Sequence, residues 1–98
     1  MGTLLSDESI TQLLADAVEH LELGDLDQAR LTLLEKLDFG RLLRAAPREA
    51  ADPAAGYGLV RVRETADLIY RCVREVNARN VESALKLAKN AATRWANK

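Results

Sequence analysis

The most reactive side chains in this chain of 98 residues are one cysteine and one histidine, Cys72 and His20. A thiol beside an imidazole can act as nucleophile and base when the two lie within hydrogen-bond reach. Cys72, however, falls between Ile69 and Val73 in an apolar helical run, where a small buried side chain is the ordinary occupant. Metal sites need clustered ligands, and one thiol and one imidazole on separate helices do not supply them. Gly56-Tyr57-Gly58 follows no strand that would turn it into a phosphate-cradling loop, so it reads as linker. No catalytic residue, metal or cofactor is expected.

Charge carries more information. Residues 1–60 hold five basic against eleven acidic side chains, net −6, whereas residues 61–98 hold nine basic against four acidic, net +5. Lys86, Lys89, Arg94 and Lys98 lie on or near the polar side of a helix, and Arg71 and Arg74 form a stripe on the helix before it. Such faces are the electrostatic footprint of phosphate binding, although a strongly acidic first half would repel a nucleic-acid backbone. Trp95 at the end of the last helix reads as a core or interface anchor.

Four helices must position these residues. Ile10, Leu13, Leu14, Ala17, Val18 and Leu21 recur at helical spacing behind the start signal Ser6-Asp7-Glu8, which predicts helix one from about Ser6 to Leu23. Gly24 supplies a left-handed stop, and Asp25 with Gln28 three residues on resembles a capping box. Helix two presents Leu26, Ala29, Leu33, Leu34 and Leu37 on one face and ends near Asp38, before Gly40; a short helical piece over Arg41 to Ala46 is expected. Pro47 to Gly58, with two prolines and two glycines, reads as a linker. Helix three runs its seam through Val62, Ala66, Ile69, Val73 and Val76, and helix four follows Asn80 as N-cap with Val81, Ala84, Leu85, Ala88, Ala91, Ala92 and Trp95.

Sliding the second half over the first until Leu68 meets Leu13 also aligns Leu14 with Ile69, Ala17 with Cys72, Val18 with Val73, Leu21 with Val76 and Ala29 with Ala84. The alignment sets Asp16 against Arg71 and Glu19 against Arg74, opposite charges at equivalent outward positions. Gly24-Asp25-Leu26-Asp27-Gln28-Ala29, with Ala17 before it, resembles the tetratricopeptide-repeat family, whose helical pairs carry a Gly-Asp turn followed by an alanine. The second copy keeps Ala84 and Ala91 but has Arg79-Asn80 in place of Gly-Asp. The interval also exceeds the family's repeat of about 34 residues, and its aromatics are missing. His20 with Gly24 four residues on is also similar to the His-x-x-x-Gly of histidine phosphotransfer bundles, but Glu22 and Leu23 replace that family's apolar residue and lysine.

The fold expected is all-α: two antiparallel helical hairpins in one domain over residues 1–98, forming a small four-helix bundle or a pair like tetratricopeptide repeats, with exchange of hairpins between chains as a variant. Hairpin one covers about residues 6–46, the linker about 47–58 and hairpin two about 59–97. The function expected is a non-enzymatic protein–protein interaction module, an adaptor or assembly subunit that self-associates, because Leu23, Leu31, Leu42, Leu43, Leu68 and Leu87 widen the apolar stripes beyond a two-helix seam. Its candidate contacts are Arg71, Arg74, Lys86, Lys89, Arg94, Trp95, Asp16 and Glu19. A nucleic-acid-binding domain using the basic faces of helices three and four is the alternative, and a phosphotransfer protein acting at His20 the second. Lone Cys72 and the lack of a secretory or membrane-spanning run place the chain in the cytoplasm, with no membrane partner. Gly2 and Ser6 do satisfy the permissive myristoylation pattern.

Overall fold

The computed structural model describes residues 7–38 and 59–97. The expected helical piece over 41–46, the linker over 47–58, Leu42, Leu43 and the Gly2/Ser6 pattern lie outside them. α1 is Asp7–Glu22, and Ile10, Leu14, Ala17 and Leu21 are all buried on one face at spacings of four, three and four. Gly24 ends it at φ +77. There the N–H of Gly24 donates to the Leu21 carbonyl at 3.1 Å and that of Asp25 to the His20 carbonyl at 2.8 Å, a Schellman turn that satisfies the last carbonyls of the helix.

α2 spans Leu26–Leu31 and opens with the Asp25 carboxylate accepting from the Gln28 N–H at 3.2 Å. Only this half of the capping box forms, because the Asp25 N–H is already committed to His20. The helix then widens into a π-helical segment over Thr32–Leu37, ended by Asp38 at φ 46. At its start the Thr32 hydroxyl donates to the Gln28 carbonyl at 2.9 Å, an acceptor it shares with the Thr32 N–H, which also donates to the Ala29 carbonyl. Within this segment Thr32, Leu33 and Leu37 are buried while Leu34 is 45 % exposed, which corrects its expected place on the core face.

α3 is Leu59–Asn77 and α4 is Val81–Ala96. The α3 seam is buried as its spacing predicts, joined by Thr65 and Cys72, and α4 buries Ala84, Ala88, Ala91 and Trp95. The turn between them repeats the first, with Arg79 and Asn80 in the places of Gly24 and Asp25. The N–H of Arg79, a residue at φ 63, donates to Val76 at 3.0 Å and that of Asn80 to Glu75 at 2.9 Å, and Asn80 adopts the N-cap backbone of Asp25. Its side chain makes no capping bond, and its Nδ2 donates to the Glu75 carboxylate at 2.8 Å.

The helices close into a ring. α1 packs on α2 and along α4, and α3 packs on α4 and, less extensively, on α2 with its π-helical extension. Both turns lie at one end, where Gly24, Asp25 and Arg79 line a common groove, so each helix runs antiparallel to both ring neighbours. One continuous core from Ile10 to Trp95 spans the two hairpins. The protein is thus an all-α, up-down-up-down bundle with α1 and α3 at opposite corners.

Candidate interaction surfaces

Opposite sides of the ring carry opposite charge: the described hairpin over 7–38 has net −7 and that over 59–97 net +4. On the basic side Arg71 and Arg74 are exposed and wall an open groove of about 450 Å³ between α3 and α4, with Ala78 and Leu87 as its apolar lining and Glu75 and Asn80 among its polar residues. Arg71 is 3.2 Å from Asp67, an exposed pair one helical turn apart that adds little stability. Lys86 and Lys89 are exposed on α4.

On the acidic side Asp16 is half-buried and accepts from the Gln12 amide at 2.9 Å, whereas Glu19 is exposed. The Gln12/Asp16 and Asp67/Arg71 pairs stand at the same positions of the two hairpins, in the register that aligns Leu13 with Leu68. Equivalent positions therefore share geometry but not charge. Because α1 and α3 occupy opposite corners, Asp16 and Glu19 do not meet Arg71 and Arg74 within one chain.

Two expected contact residues are engaged within the chain. Trp95 is fully buried, which assigns it to the core rather than to an interface, the two places its position suggests. Arg61, which sequence reasoning passed over, lies over the Trp95 ring at 3.8 Å and donates from Nε to the Trp95 carbonyl at 2.6 Å. A cation here also complements the carboxyl end of α4. Arg94 bonds the Glu64 carboxylate and donates to the Asn97 carbonyl at 2.8 Å, so its guanidinium fastens α4 to α3. The only sequence signal for Arg61 is its place one residue before the Val62 seam.

The reactive side chains have structural surroundings. Cys72 is buried and its thiol donates to the Ala84 carbonyl at 3.2 Å; burial pushes its pKa from 9.0 up to about 11, so a thiolate is scarce at neutral pH. His20 is half-buried, and its carbonyl and Gly24 are both engaged in the first turn. Among the described residues there is no group of three or more His, Cys, Asp or Glu placed to hold a metal ion. No helix among them is long and apolar enough to cross a membrane.

Comparison with known protein families, characterised proteins and solved structures finds no match for this chain.

Proposed function

We propose that this protein is a non-enzymatic interaction module, an adaptor or assembly subunit whose partners include further copies of itself. The observation that carries this reading is the opposed charge of the two hairpins on opposite sides of one bundle. Complementary faces contribute orientation and partner choice more than raw affinity. Leu23, Leu34 and Tyr70 stay exposed at 75 %, 45 % and 44 %, which adds apolar contact area of the kind that interfaces bury. Light scattering across a concentration series tests the reading, together with capture of partners on immobilised protein. A chain that stays monomeric at high concentration and retains no partner would remove it.

The groove walled by Arg71 and Arg74 also favours a second reading, in which a nucleic-acid backbone lies along α3 and α4. Against it stand Asp67 beside Arg71 and Glu75 within the groove. A low-salt gel-shift assay with single- and double-stranded probes tests that reading, and an unshifted probe would dispose of it.

A further inference from the structure

Among the described residues Leu23 is the most exposed large apolar side chain, at 75 %. Nothing in the first turn requires leucine there: the residue contributes its N–H to the Glu19 carbonyl at 3.0 Å, a bond that any residue except proline can make. It lies two residues past Leu21, the last buried position of α1, and its sequence neighbours Glu22 and Asp25 are both exposed acids. The result is an apolar knob within an acidic surface. The basic hairpin presents the complementary shape at the equivalent height, an open groove lined by Ala78 and half-buried Leu87 and walled by Arg71 and Arg74. Ala78 is the equivalent of Leu23 in the second hairpin, which therefore has a methyl group where the first has a leucine.

Resting on the self-association reading above, we infer that Leu23 of one copy seats in the α3/α4 groove of the next, with Glu19 and Glu22 facing Arg71 and Arg74. Apolar contact with Leu87 and Ala78 supplies adhesion, and the charges set which face is chosen. Glu75, which accepts from the Asn80 amide at 2.8 Å, shares this groove and offsets part of its positive charge, so the apolar contact carries the affinity and the arginines the choice of face. Knob and groove sit on opposite sides of the bundle, so two copies cannot satisfy both contacts reciprocally. The interface is head to tail and growth continues past the dimer.

The test is a mixing experiment on the full chain, followed by sedimentation velocity at low and high salt. Wild type forms species larger than dimers at low salt, and association weakens about tenfold or more as exposed charges are screened in 0.5 M salt. Leu23→Ser and the double variant Arg71→Glu/Arg74→Glu each stay monomeric with unchanged helical circular dichroism, since all three side chains are exposed. Mixed together, they form a 1:1 complex that stops at two chains, because one retains only the groove and the other only the knob. A wild-type species limited to dimers, association that both variants retain, or a mixture that stays monomeric overturns the inference. If wild type is monomeric but a captured partner is lost with Arg71→Glu/Arg74→Glu, the module reading stands and this inference falls. A nucleic-acid probe shifted by wild type and not by that double variant would instead assign the groove to phosphate.

Discussion

The guanidinium of Arg61 lies 3.8 Å over the indole of Trp95 while its Nε donates to the carbonyl of the same residue at 2.6 Å, so one buried cation ties the start of α3 to the end of α4. Arg61→Ala removes both the stack and the charge-assisted bond, and is expected to cost about 2 kcal/mol in urea unfolding. Arg61→Lys keeps the charge but neither the planar stack nor the Nε donor, so it recovers less than half of that loss. A midpoint unchanged by Arg61→Ala would show that the clamp carries no stability.

The two turns make a matched pair of experiments. Arg79 holds a left-handed φ of 63 that an L side chain adopts at a cost, and Arg79→Gly is expected to stabilise the protein by about 1 kcal/mol. Gly24→Ala should destabilise by a similar amount, purely through backbone strain, since nothing lies within 4 Å of an added Cβ. Thermal unfolding of the two variants would shift in opposite directions; shifts of the same sign would contradict the shared turn geometry.

Cys72 links stability to alkaline pH. Its folded pKa of about 11 stands above the ordinary 9.0, so the folded state retains a proton that the unfolded chain releases. Its contribution is complete below pH 9, declines through the window from pH 9 to 11 and is gone above it, a loss of about 2 to 3 kcal/mol. Cys72→Ala should flatten that part of the stability curve while lowering stability at neutral pH. In native protein the thiol should react with a maleimide far more slowly than in urea, and equal rates would exclude a buried thiol.

Small residues let α4 lie close to both α3 and α1. Ala88 is 2 % exposed, and Ala88→Leu inserts volume into a filled seam, which is expected to cost about 1 to 3 kcal/mol in chemical denaturation. The same change at exposed Ala15 should be neutral, within about 0.5 kcal/mol. A leucine tolerated equally at both sites would argue against the tight approach of these helices.

Much of this architecture is legible from spacing alone. The repeats of four and three along Ile10 to Leu21, Val62 to Val76 and Ala84 to Trp95 identify the buried faces, and Gly24-Asp25 marks the first turn because few residues tolerate its backbone. The second turn is less visible, since arginine carries no signature of a left-handed conformation and only the alignment of Arg79 with Gly24 points to it. The π-helical segment is not readable, because the spacing of Leu33, Leu34 and Leu37 does not distinguish it from an α-helix, and within it Leu34 faces out of the core. Asn80 is the N-cap that its place before Val81 predicts, but its side chain makes no capping bond, and its Nδ2 donates to Glu75 five residues earlier. Of the candidate surface, the stripe of Arg71 and Arg74 is evident from helical spacing, whereas the engagement of Trp95 by Arg61 and of Arg94 by Glu64 depends on residues of a different helix, far away in sequence.

The covalent joining of the two hairpins has a consequence for what the bundle can become. Two identical hairpins paired by a twofold axis would display the same side chains on both flanks, and any change at one site would appear at its mate as well. In a single chain, position 16 and position 71 are separate letters that vary independently, so Asp16 and Arg71 can coexist on one scaffold. The molecule thereby has a direction across its width, a property that an array of copies needs in order to have distinguishable ends.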